Sequence, residues 1–167
     1  MADYLAAAVK AIDGVLQERT PALLQKRNRQ PFAEFLHADT GVMLNPPTCW
    51  VTPLHNSISD EGQGLQQVGT VMVIMGIAGT DPENLVNTAM DYVGAVTDAI
   101  ESADGSWGNN IRHVHPGEQD YSARFRRGEG FVIFPTVLLT VEATEPPVTP
   151  ADNAVTVAAF EAMHPPY

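Results

Sequence analysis

The stretch that most constrains the fold runs from Val68 to Glu101, VGTVMVIMGIAGTDPENLVNTAMDYVGAVTDAIE, because it joins the most apolar strand candidate to the best-signalled helix. From Thr70 to Ile77 nearly every residue is β-branched or apolar, which reads as a buried strand. Ala78-Gly79-Thr80-Asp81-Pro82-Glu83 then stops the strand and opens a helix. Gly79 permits the turn, Asp81 can accept hydrogen bonds from the free N–H groups of the first turn, and Pro82 sits where a missing N–H costs nothing. Leu85, Ala89, Tyr92, Val93, Val96 and Ile100 form one apolar stripe, so this helix should lie on the strand it leaves. Asn87, Asp91, Asp98 and Glu101 fall on the opposite face, open to water, and Asp104-Gly105 marks the stop.

Val71, Val73, Met75 and Ile77 point to one side of that strand, Met72 and Ile74 to the other. One helix covers one face only. The second face needs either the N-terminal helix or a neighbouring subunit.

The N-terminal helix is read from Leu5, Ala8, Val9, Ile12, Val15 and Leu16 at about residues 3 to 19, with Pro21 opening a second turn or ending the first. Lys26, Arg27 and Arg29 follow and stand out among only 9 basic residues. They suit either a solvated helix end, where cations complement the dipole, or contact with an acidic partner ring. Short strands are expected at Phe32 to His37, Thr48 to Thr52 and Asn109 to His115. His55 to Gln67 and Pro116 to Gly130 read as long polar loops, the usual carriers of contacts in a compact domain. Val137, Leu139, Val141 and Ala143 alternate with Leu138, Thr140 and Glu142 as a half-buried strand, and Pro135 predicts an edge or bulge before it. Beyond Glu145 the prolines and the apolar set Val155, Val157, Phe160 and Met163 suggest an arm.

These elements predict an α+β fold: a mixed or antiparallel sheet of about four to five strands, packed by an N-terminal and a central helix. Residues 1–145 form one domain and 146–167 the arm; 167 residues are too few for two comfortable domains. No run of about 20 apolar residues is present and the N-terminus lacks a secretory pattern, so a water-soluble chain made in a cytoplasm, without membrane contact, is expected. The single Cys49 excludes an internal disulfide framework. A formal charge of −11 opposes a surface that grips nucleic-acid phosphates.

Motifs for chemistry are sparse. His113-Val114-His115 places two imidazoles on one strand face, and a metal site would need a third ligand such as His37, His55, Glu118 or Asp120. There is no G-x-S-x-G turn and no G-x-x-x-x-G-K-[ST] phosphate loop. Cys49 beside Trp50 reads as a buried thiol, and the carboxylate pairs Asp60-Glu61 and Glu142 with Glu145 as solvated neighbours. Gln119 to Arg127 mixes aromatics with arginines, which in an acidic protein points to a protein interface. A metal-dependent enzyme using His113 and His115 is the competing reading, and nothing signals a small-ligand pocket.

The order of elements, the turn Gly79-Thr80-Asp81-Pro82-Glu83, the helix segment Asp91-Tyr92-Val93-Gly94-Ala95-Val96, Asp120-Tyr121-Ser122 and a last strand ending Val141-Glu142 together resemble the tail-terminator and tail-completion proteins of long-tailed bacteriophages. The resemblance covers about residues 1 to 145. It implies a non-enzymatic virion subunit without cofactors, assembled in the host cytoplasm into a hexameric ring. Such a ring caps the tail tube and joins it to a neck, stopper or connector protein, and DNA passes through its lumen without specific binding. A head-tail adaptor or stopper of the same neck is the neighbouring expectation. The contact residues expected are Lys26, Arg27, Arg29, Gln63, Leu65, Gln67, Tyr121, Arg124, Phe125, Arg126, Arg127 and Phe160.

Overall fold

The computed structural model describes residues 4–36, 45–60, 65–108 and 110–144. Helix α1 spans Tyr4–Lys26 and runs straight through Pro21, past the end expected near residue 19. Pro21 and Gln17, whose carbonyl loses its partner there, are both exposed, so water can satisfy the freed acceptor. Tyr4, Ala8, Ile12, Leu16, Thr20 and Leu24 form its buried stripe. The helix ends where Asn28 takes φ 57° and the Arg29 amide donates back to the Leu24 carbonyl at 2.9 Å.

Strands β1 (Glu34–Leu36), β2 (Thr48–Asp60) and β3 (Leu65–Gly79) follow, then α2 (Pro82–Ser102), β4 (Ile111–Asp120), β5 (Arg124–Arg127), β6 (Gly130–Ile133) and β7 (Thr136–Thr144). Among the described residues seven strands form one sheet, and they lie in five ribbons, in line with the four to five strands expected. β3 pairs with β7 from Gln66 to Ile74 and with β6 from Ile77 to Gly79, so β6 and β7 are one ribbon broken at Phe134-Pro135. The break is stitched by the Met75 amide donating to the Pro135 carbonyl at 2.9 Å. β4 pairs β7 and β5 pairs β6, which makes β4 and β5 the next broken ribbon. Among the described residues β1 with β2 is the one parallel pair, so the sheet is mixed.

Two expected loops are strands. β2 and β3 form a long hairpin closing at Asp60 opposite Leu65, so His55–Asp60 belongs to the ladder. Likewise β4 continues from His115 to Asp120, and Arg124–Arg127 forms β5.

Asp81 caps α2 as its sequence suggested, accepting from the Glu83 amide at 3.1 Å, with Pro82 in the first turn. Both helices pack on the same face of the sheet. Cys49 and Val51 of β2, Val71, Val73, Met75 and Ile77 of β3, and Val137, Leu139 and Val141 of β7 join the helix stripes in one core. Each fully buried Leu, Val or Ile contributes roughly 1.5–3 kcal/mol. Among the described residues, no helix covers the opposite face.

Candidate functional site

Arg27 and Arg29 lie where α1 leaves for β1, against α2. Arg27 Nη2 donates to Asp98 Oδ2 at 2.7 Å, and Arg29 Nε to Asp91 Oδ2 at 2.9 Å. The two acidic residues expected to face water therefore face cations of the same chain. Gly94 allows this: a Cβ there would meet the Arg27 guanidinium at 3.0 Å. Arg19 is also engaged within the chain, donating to the Ser102 carbonyl at 2.7 Å. Both pairs are partly exposed, which limits each to about 1 kcal/mol or less. Lys26 is exposed on the last turn of α1.

The corner between β4 and β5 is built differently. Asp120 Oδ1 accepts from the Ser122 amide at 2.7 Å, and hydrogen bonding from the Ser122 hydroxyl and then from its amide holds the Asp120 carboxyl below its usual range. Arg124 Nε donates to the Tyr121 carbonyl at 3.1 Å, and burial raises the Tyr121 phenol. Beyond the corner all four residues of β5 are exposed. Phe125 is 59 % exposed, with its ring edge-on to Phe134 at 5.7 Å between centroids. Arg126 lies 5.9 Å from the Phe131 ring centre. Among the described residues β5 pairs with β6 alone, which makes it an edge strand. Three guanidinium groups and an aromatic ring thus share four residues of an exposed sheet edge, a composition that favours protein contact.

The other expected contact residues are not gathered there. Gln67 is 1 % exposed and faces the helices, so its side chain is part of the core. Leu65 starts β3 opposite Asp60. Gln63 and Phe160 lie outside the described residues.

His113 and His115 do share a side of β4, with rings 5.3 Å apart. Their partners are separate carboxylates: Asp104 Oδ1 lies 3.4 Å from His113 Nδ1, and Glu142 Oε2 lies 3.9 Å from His115 Nε2. His55 sits three strands away in the row His55, Thr70, Thr140, His115, about 14 Å at ordinary strand spacing. Among the described residues, no group of three or more His, Cys, Asp or Glu is placed to hold a metal ion.

Cys49 is fully buried, and burial, reinforced by the Asp13 charge, pushes its thiol pKa far above the ordinary range. Native Cys49 is expected to resist a maleimide at about pH 8 and to react fully once urea unfolds the chain. The unfolded thiol ionises above about pH 8.5 while the buried one stays protonated, so its contribution to stability is present below that pH and declines above it. Mass spectrometry after labelling with and without urea checks the first expectation.

A mainly apolar cleft of about 420 Å³ lies between α1 and β2, lined by Val9, Lys10, Asp13, Leu36, Val51 and Pro53. The sequence did not signal it, because its walls come from three separate elements. Its lining carries no serine, threonine, cysteine or histidine.

The face without helices is the other candidate surface. On it Trp50 stands opposite Ile74, and Met72 opposite Leu138, across three adjoining strands. All four are half-buried, and Leu54 at the β2 bulge is 54 % exposed.

No protein-family model and no curated protein matches this chain. Among solved structures, a chain described as "Virion of native gene transfer agent (GTA) particle" matches with a TM-score of 0.53 and 16 % identity. The match covers 85 % of this chain and 100 % of that one. What they share is the fold.

Proposed function

We propose that this chain is a structural virion protein: a tail-terminator subunit that forms a hexameric ring, caps the tail tube and joins it to the neck or connector protein. The observation that carries the reading is the likeness in fold to a virion chain along that chain's whole length. Three features of the molecule support it. Among the described residues one sheet face lacks a helix, β5 presents an Arg- and Phe-rich edge, and His55, His113, His115 and Cys49 are not gathered as a catalytic set. Cyclic assembly would bury the edge of one copy against a different surface of the next. The formal charge of −11 fits a lumen through which DNA slides without being held. Arg27 and Arg29 are paired with carboxylates of the same chain, whereas all four residues of β5 are exposed, so the contacts to a tube or neck partner are assigned chiefly to Tyr121, Arg124, Phe125, Arg126 and Arg127.

Light scattering of the purified protein, alone and mixed with its tail tube, tests the proposal. The expected mass is about six times the 18.0 kDa of one chain, with ring-shaped particles at tube ends in negative stain. A chain that stays monomeric with and without tubes overturns it. Rings found away from the tube, at the portal side, would move the subunit to the adaptor or stopper position.

A further inference from the structure

We propose that Asp104-Gly105 is a site of spontaneous covalent modification, at which the main chain rearranges to isoaspartate through a cyclic imide. The inference goes beyond the ring reading and does not depend on it. The chain carries aspartate followed by glycine twice, at Asp13-Gly14 and at Asp104-Gly105. Glycine in the second position favours the reaction, because it has no side chain to hinder the approach of its own nitrogen to the aspartyl carboxyl. By sequence the two pairs are equivalent, and the fold separates them.

Asp13-Gly14 lies in the middle of α1, where the Gly14 amide belongs to the helix ladder. The Asp13 carboxylate is held as well, with Oδ2 accepting from Gln17 Nε2 at 2.7 Å. Ring closure there requires a turn of the helix to open first. Asp104-Gly105 stands beyond Ser102, the last residue of α2, and both residues are exposed. The Asp104 amide donates to the Glu101 carbonyl and the Ser106 amide to the Ala103 carbonyl, each at 3.2 Å or less. Between them the Gly105 amide has no backbone partner among the described residues, so the nitrogen that must attack is the one the turn leaves untied. Gly105 takes φ 80°, with nothing within 4 Å of the position a Cβ would occupy. The Asp104 side chain is 67 % exposed, and its carboxylate lies 3.4 Å from His113 Nδ1.

The chemistry needs only water. The Gly105 nitrogen adds to Asp104 Cγ, the amide proton and the carboxyl hydroxyl leave together as one water, and a five-membered imide closes. Water then opens the imide at either carbonyl. Attack at Cγ restores aspartate. Attack at the main-chain carbonyl carbon leaves the chain running through Cβ and Cγ, with the free carboxylate directly on Cα. The water lost in closure is regained in opening, so the mass does not change. In the product the main chain is one carbon longer and the carboxylate arm one carbon shorter, which breaks the contact between Asp104 at the end of α2 and His113 on β4.

Peptide mapping of the full-length protein, stored warm for weeks in mildly acidic buffer, tests the proposal. Isoaspartate is read as a peptide of unchanged mass and shifted retention that accepts a methyl group from an isoaspartyl methyltransferase. It is expected at position 104 in about tenfold excess or more over position 13, since only the second must wait for a helix to open. In urea, with α1 unfolded, the two positions are expected to react at similar rates. Asp104→Glu, which would need a larger ring to close, is expected to abolish the signal in its peptide. Position 104 reacting no faster than position 13 in the native protein, while both react in urea, would show that the turn protects as well as the helix does and would overturn the proposal. So would methyl acceptance undiminished by Asp104→Glu.

Discussion

Gly69→Val is expected to destabilise the protein by about 3 kcal/mol, lowering its thermal midpoint by roughly 6–12 °C, whereas Gly14→Ala stabilises it by roughly 0.5–1 kcal/mol. Gly69 lies mid-strand in β3, facing the helices between Gln67 and Val71. A Cβ there would stand 2.6 Å from the Tyr4 hydroxyl and 2.8 Å from Leu5 Cδ1. The first turn of α1 rests on that bare backbone, and the Tyr4 hydroxyl donates from there to Asn56 Oδ1 at 2.8 Å. A valine must push the turn off the sheet. Overpacking of this kind costs about 1–3 kcal/mol, and the lost hydrogen bond adds about 1 kcal/mol. Gly14 is the contrast: it is exposed in the same helix, a Cβ there would meet nothing within 4 Å, and its cost is only backbone entropy. Urea denaturation of both variants measures the difference. A Gly69→Val protein as stable as the parent would mean that α1 does not dock on β3 as described.

The parts of the fold that could be read from sequence are those where several local signals agree. Asp81, Pro82 and the Leu85 to Ile100 stripe each point to the same helix start and face, and α2 follows them. The alternation from Val137 to Ala143 was equally legible, because one side of β7 is core and the other is not. β2 beyond Pro53 was hidden for the opposite reason. His55, Asn56 and Ser57 are exposed, so no apolar period marks them, and it is pairing with Thr70, Gly69 and Val68 that holds them extended. Thr20 explains the helix that outran its expected end. It is fully buried, with its hydroxyl donating to the Leu16 carbonyl at 2.6 Å, so the stripe continues through a polar residue to Leu24. For the surface, the cluster around Tyr121 to Arg127 was visible as composition. The pairing of Arg27 and Arg29 with Asp98 and Asp91 was not, since those partners lie 71 and 62 residues apart. Short-range sequence patterns carry no information about such contacts.

In the proposed ring, Phe125→Ala is expected to weaken assembly about 30-fold or more, and charge reversal of Arg124, Arg126 and Arg127 to glutamate to weaken it further, with the fold unchanged in both. Exposed aromatic and arginine side chains that become buried at an interface commonly contribute about 2 kcal/mol or more each, and 2 kcal/mol corresponds to about 30-fold in affinity. The fold should tolerate the changes because every side chain of β5 is exposed and none belongs to the core. Substitutions at such positions usually alter stability by about 0.5 kcal/mol or less. The two variants should also differ in their response to salt. Rim charges act through long-range attraction, which screening weakens, so raising ionic strength should loosen the parent ring and narrow its advantage over the charge-reversed variant. The Phe125→Ala defect should persist at high salt, since desolvation of a ring is not screened. Sedimentation velocity across a salt series, with circular dichroism as the check on folding, resolves the two effects. Full assembly of both variants at micromolar concentration would remove β5 from the proposed interface.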